Sequence, residues 1–251
     1  MILKPCEIQA ATTVSSSGAA PCQEDHAAMN EQRRIFTVAD GFGGVKAGAE
    51  AARKACESVL HFLEREAGDL EATLPFELRA NYSLAGNVLF NSFVHANREI
   101  IQYNDGRGIH DRGGASMVAG YLEGNRMVLA NLGVCSAWMI RGCRSVELVT
   151  PRSYGRMLDP FGTDTGPTTD IPMAALGMSE DLEPEVIEVI AQPGDWYLFQ
   201  THGITSDFRE TLSQLQGHGL SIQDLYQKLS AEMQGAGFAQ NATFSLVILK
   251  G

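Results

Sequence analysis

The chain has 251 residues, 44% hydrophobic and 20% charged, enough for a large core in one domain or for two smaller ones. With 19 basic and 30 acidic residues its formal charge is −11, and it has no basic block. That balance argues against a nucleic-acid face or a patch for anionic lipid, and favours metal cations and basic partners. No apolar run reaches the ~18 residues of a membrane span, and no signal-peptide pattern opens the chain, so the expected compartment is the cytoplasm.

No repeat, low-complexity tract or linker divides residues 1–251, which read as one domain. Residues 6–15 predict a strand, followed by the small-residue turn "SSSGAAP". Residues 34–39 predict an apolar strand carrying Asp40 at its tip, where a bare carboxylate is costly to desolvate and needs a metal, a set of donors or open water. Apolar residues at helical spacing predict one helix over Gly48–Glu66 and a second from about Phe76 to Tyr103. Next come two strands around Glu123-Gly124-Asn125 and two more around Gly142. Residues 151–178 read as an irregular loop. "EVIEVIAQPGDWYLFQT" predicts a pair of strands about the turn Pro193-Gly194-Asp195. Helices near 206–215 and 221–234 precede a last strand, "ATFSLVILK". This order implies an α+β layered protein with antiparallel sheets and helices outside.

Five cysteines, Cys6, Cys22, Cys56, Cys135 and Cys143, with no C-x-x-C, suit small buried side chains in a reducing cytosol better than a disulfide framework.

Six segments, in order over nearly the whole chain, resemble the metal-dependent type 2C protein phosphatases, the PPM family, in its bacterial form. "DGFGGVKAG" from Asp40 resembles the family's D-G-x-G-G-x-x-A-G. "QED" at Gln23-Glu24-Asp25 stands at its first acidic pair, "GGASMVAGYL" at its G-T-T strand and "VLANLG" before its G-D-S-R. "AALG" with "PGDWYLFQTHGIT" resembles the stretch ending in S-D-G-L-T, and "QNATFSLVIL" the terminal D-N-x-T strand. The resemblance implies a central β-sandwich of two antiparallel sheets flanked by pairs of helices. It also implies a two-metal centre whose bridging hydroxide attacks phosphorus. Asp40 would bridge the ions, the Gly41 carbonyl would join them, and Glu24 or Asp25 would complete the shell of one.

The family pattern fails where the chemistry is concentrated. The Asp of S-D-G is His202, the Asp of D-N-x-T is Gln240 and the Asp of G-D-S-R is Val134. The phosphate-binding basic residue is Ala20, and the D-H after the fourth strand is replaced in "TPRSYG". Val134 cannot bind a metal, Gln240 is neutral, and His202 is a ligand that Mg²⁺ disfavours. An electrostatic clamp such as the one lost at Ala20 contributes roughly 2.7–4 kcal/mol even for a single donor.

Other readings stand beside these. Asp40 could cap a turn, and Glu24 and Asp25 could lie in a solvated polar loop before His26. His202 is a metal ligand, a hydrogen-bonding substitute for Asp or a core histidine. Gln240 and Asn241 read as satisfying backbone groups at the start of the last strand. Lys46 reads as exposed, near enough to Asp40 to offset a carboxylate cluster. Cys135 reads as an inert thiol rather than a nucleophile, because no basic residue flanks it. Trp138 and Trp196 read as core. The sequence therefore implies a pseudophosphatase that binds no metal or one divalent cation, Mn²⁺ or Mg²⁺, and serves a protein partner such as a phosphoprotein or kinase-pathway component. The alternative is an active phosphatase with one ion on Glu24 or Asp25, Asp40, Gly41 and His202.

Overall fold

The structure, a computed structural model, describes residues 5–44, 46–66, 78–159 and 171–251. Among them ten strands form two five-stranded antiparallel sheets. The first sheet orders β1 (Ile8–Ser16), β10 (Ala242–Leu249), β9 (Trp196–Gln200), β6 (Ser136–Arg141) and β7 (Arg144–Val149). The second orders β2 (Asp25–Asn30), β3 (Ile35–Gly43), β4 (Gly113–Glu123), β5 (Arg126–Leu132) and β8 (Glu185–Ile190). Helices α1 (Ala47–Glu66) and α2 (Leu84–Asn104) cover the second sheet, and α4 (Ser206–Leu215) and α5 (Ile222–Gly235) cover the first. The short α3 (Tyr154–Leu158) lies between β7 and β8 in the chain.

Burial on both faces explains why "IFTVA" reads as a continuous apolar run instead of alternating. Phe36 and Val38 point between the sheets, against a layer that includes Tyr197, Phe199 and Val247. Ile35 and Ala39 point the other way, toward Ala52 and Val59 of α1 and the α2 cluster around Leu89 and Phe93. On the far side Leu198, Phe244 and Leu246 meet Phe208 and Leu212 of α4 and Leu225 and Leu229 of α5. The molecule is thus a helix–sheet–sheet–helix stack, and the expected sandwich flanked by pairs of helices is the observed one.

The helix starts follow local chemistry. Ser83 accepts the amide hydrogen of Gly86 at 3.0 Å and caps α2, which therefore begins at Leu84 and not near Phe76. Residues 76 and 77 lie outside the described residues. Thr205 and Ser221 cap α4 and α5 in the same way.

Other expectations need correction. The strand over 34–39 runs on to Gly43, so Asp40 stands inside β3 and not at its tip. The reason is that β4 keeps pairing past it, with Asp40 opposite Ser116 and Gly43 opposite Gly113. Both strands about Pro193-Gly194-Asp195 form, yet they belong to different sheets, β8 beside β5 and β9 between β10 and β6. Asp195 holds that crossing. It is 1% exposed and accepts from Arg141 Nε and Nη2 at 2.6 and 2.7 Å, from the Gln192 amide at 2.8 Å and from the Tyr197 hydroxyl at 3.2 Å. The 151–178 region contains α3 and a bridge between Ser153 and Pro172, and residues 160–170 lie outside the described residues. Of the cysteines, Cys6, Cys56 and Cys135 are buried, but Cys22 and Cys143 are exposed. No described helix is long and apolar enough to cross a membrane.

Candidate functional site

At the end of the sandwich where β2 and β10 begin and β5 and β9 finish, a cavity of about 290 Å³ opens. Glu24, Asp40 and the backbone of Gly41 line it, and so does His202. The positions that depart from the phosphatase pattern, Ala20, Val134 and Gln240, line the same cavity. Residues separated by up to 220 positions therefore meet, because β2 and β3 are neighbours in one sheet while β9 and β10 are neighbours in the facing one.

Gly41 is required by close approach. A Cβ there would stand 2.1 Å from the Gly48 carbonyl oxygen and 2.7 Å from that of Glu24, so a side chain would push α1 and the Glu24 segment off β3. Its amide donates to the Glu24 carbonyl at 3.2 Å. Asn241 fixes the same segment from the other sheet. Its Oδ1 accepts the Glu24 amide at 2.8 Å, and its Nδ2 donates to the Ser17 and Cys22 carbonyls at 3.0 and 2.9 Å. Asn241 thus satisfies backbone groups, as expected, but those of the 17–24 segment and not of the start of β10. Asn241→Ala is expected to cost about 1–2 kcal/mol by leaving these groups to find other partners, read as a lower midpoint in urea with an unchanged slope.

Asp25 corrects the reading of a solvated loop. It opens β2 directly opposite Asp40, is 7% exposed and faces the other sheet. The Thr201 hydroxyl donates to its Oδ2 at 2.8 Å, while Oδ1 is buried without a hydrogen-bond partner. Burial pushes the carboxyl up from 3.8 to about 6. The charge of Glu24 adds to the rise, and the hydroxyls of Thr201 and Thr243 oppose it. Burial also raises the Glu24 carboxyl. Asp25 does not line the cavity but sits behind it.

Cys135 is fully buried, and its thiol donates to the Ser116 carbonyl at 3.4 Å. Burial first, and then the charges of Asp40 and Asp25, hold that thiol well above its usual range, which fits the inert reading. Lys46 is exposed, with a left-handed backbone (φ 62°), and does not line the cavity. Trp196 is buried in the α4–α5 layer, and Trp138 packs against that layer with the Arg209 guanidinium 4.6 Å from its ring.

Sequence reading missed Ser116. It is fully buried, lines the cavity, and its hydroxyl has no hydrogen-bond partner. The available signal was alternation: Ser116 shares the face of Val118 on β4 and pairs with Asp40. Gly133, in the left-handed region (φ 95°), makes room for it, since a Cβ there would stand 2.3 Å from Ser116 Oγ.

Comparison with known proteins agrees with this architecture. The family model described as Protein phosphatase 2C matches residues 14–151, more than half of the chain. The chain belongs to the protein phosphatase 2C family. Among solved structures it is similar to the catalytic domain of the serine/threonine protein phosphatase PstP in complex with two manganese ions, at 20% identity and a TM-score of 0.77, over 96% of this chain and 98% of that one. It is similar to the PPM Ser-Thr phosphatase MsPP from Mycobacterium smegmatis in complex with cacodylate, at 19% identity and a TM-score of 0.74, over 98% and 100% of the two chains. A bacterial serine phosphatase matches at 19% identity and a TM-score of 0.79, over 98% and 99%. No curated protein matches by sequence.

A two-ion load like that of PstP does not fit the donors gathered here. Val134 presents the cavity with a hydrocarbon wall, Gln240 carries no charge, and His202 is a softer ligand than hard cations select. Among the described residues no three His, Cys, Asp or Glu side chains group closely enough to hold a metal ion.

Proposed function

We propose that this chain is a pseudophosphatase: a single protein phosphatase 2C domain, acting in the cytoplasm, that binds a protein partner and does not hydrolyse phosphoesters. One observation carries the reading. Ala20, Val134, His202 and Gln240 line one cavity with Glu24 and Asp40, so the departures from the family pattern fall together where the family's chemistry would need charge. Two divalent ions bring four positive charges. Glu24 and Asp40 line the cavity with at most two negative ones, and Asp25 behind them favours its neutral form up to about pH 6. The basic group that would hold a phosphoryl oxygen is absent at Ala20.

The second reading, an enzyme with one ion, has the support that Glu24, Asp40, Gly41 and His202 line the same cavity. One assay separates the two. Hydrolysis of p-nitrophenyl phosphate and of a phosphoserine peptide, with Mn²⁺ or Mg²⁺, is expected to stay at the rate of the buffer. Metal-dependent turnover that disappears in Asp40→Asn would overturn the binding-module reading in favour of the one-ion enzyme.

A further inference from the structure

The cavity is two-sided in character. Its walls include Phe42, Val134 and Pro172, while its polar part holds Glu24, Asp40, His202 and Gln240 and the partnerless hydroxyl of Ser116. Among the described residues no lysine or arginine lines it. A small hydrated metal ion uses oxygen donors all round and gains nothing from hydrocarbon walls. A phosphate would meet two like charges and, among the described residues, no lysine or arginine to offset them. The ligand that matches both halves is an amphipathic cation, with an apolar stem for the walls and a charged head carrying several donors for the acceptors.

We propose that the cavity receives an arginine or lysine side chain of a partner protein, its stem against Val134, Phe42 and Pro172 and its cationic head between Glu24 and Asp40, within reach of Ser116. This rests on the reading of the domain as a binding module and names what it binds. The surroundings favour a protein over a free amine. Pro172 lines the cavity and also bridges to Ser153, and the backbone bonds of Tyr154 to Ile171 and of Met173 to Arg152 hold those segments together. Ile171 and Met173, which flank Pro172, and Tyr154, bonded to Ile171, are each between 43 and 49% exposed, an apolar patch beside an acidic hole. An apolar patch next to a pocket for one charge suits an arginine or lysine flanked by apolar residues. The overall charge of −11 draws such a basic segment in.

The test titrates the isotopically labelled full chain, in chelator, with capped pentapeptides whose central residue is arginine, lysine, citrulline or norleucine and whose neighbours are leucine or glycine. Amide shifts are followed by NMR. Arginine or lysine peptides should perturb the amides of Glu24, Gly41 and Val134 and bind at least tenfold tighter than their neutral counterparts, with leucine flanks tighter than glycine. Asp40→Asn should weaken that binding at least tenfold. Ala20→Arg sets a cation at a partly exposed position of the lining, and should also weaken binding while the protein stays folded by its amide spectrum. Equal binding of citrulline and arginine, shifts confined elsewhere, or no effect of either variant would overturn the proposal. So would arginine amide binding as tightly as the leucine-flanked peptide, since the occupant would then be a free cation. Micromolar binding of Mn²⁺ alone at these amides would assign the cavity to a metal. None of these outcomes depends on hydrolysis, so this proposal and the absence of activity stand or fall separately.

Discussion

With chelator present, the triple variant Val134→Asp, His202→Asp, Gln240→Asp is expected to melt roughly 6–12 °C below the natural protein, and Mn²⁺ is expected to recover most of the difference. The three positions line the cavity that already holds Glu24 and Asp40, so up to five carboxylates would meet in about 290 Å³. Close like charges each cost on the order of 1 kcal/mol or more at the effective dielectric of a partly buried site. Val134 is 4% exposed, so its replacement also buries a polar group. A total of ~3 kcal/mol corresponds to that melting shift at about 2–4 °C per kcal/mol for a chain of this size. A cation bound only by the folded state returns ~2.7 kcal/mol at a hundredfold excess over its dissociation constant. The natural protein should show little response to Mn²⁺. If the triple variant melts at the same temperature with Mn²⁺ and with chelator, these side chains do not act on one centre. The double variant without Val134→Asp keeps the test available should the triple fail to fold.

Asp25→Asn is expected to stabilise the metal-free protein by ~2–3 kcal/mol above pH 7, with the gain shrinking steadily as pH falls below 6. The folded-state carboxyl stands at about 6 against 3.8 because it is buried. At about 1.4 kcal/mol per pH unit of displacement, its ionised form costs the fold ~3 kcal/mol. Between these two values the folded protein holds more protons than the unfolded one, so this group's contribution to stability improves as pH falls through 6 and levels off near 3.8. The groups that bear on it are Glu24, whose charge raises it, and the Thr201 and Thr243 hydroxyls, which oppose the rise. Asparagine keeps an acceptor for the Thr201 hydroxyl and carries no charge to desolvate. Urea unfolding of both proteins at several pH values measures the effect. A difference that does not change with pH would place the Asp25 carboxylate in an environment that solvates it.

The fold was legible because its signals are distributed. Two-sided burial of β3, hairpin turns at Gly124 and Gly142, and helical spacing over Ala52, Cys56, Val59 and Leu63 each leave a local mark. The site was legible in part, since Asp40, Gly41 and Glu24 stand in a recognisable pattern. What escaped depends on partners remote in sequence. Nothing around Asp25 announces that Thr201 will cover it, 176 residues away, and "EDHAAMN" is too polar and too short to read as a strand. Ser116 looks like one small residue among many until its register against Asp40 is known. The break between β8 and β9 was missed for the opposite reason. Pro193-Gly194 is good local turn chemistry, and only the packing of the two sheets reveals that the strands on either side part company.

The pairing of β1 with β10, Ile8 opposite Leu249 and Ser16 opposite Ala242, also governs how the chain can be made. The second sheet has all its strands once Ile190 has been synthesised, whereas the first must keep β1 waiting until translation reaches β10. During that interval the inner face of the second sheet, with Phe36, Val38, Val118 and Leu129, lacks the Tyr197, Phe199 and Val247 that cover it in the finished molecule. Contacts spanning so much of the chain carry a large loop-closure cost and form late. The nascent chain therefore passes through a half-built state that presents a greasy sheet to the cell. Chaperone demand and aggregation during synthesis should respond to substitutions in β10 far more than to equally buried ones in α1.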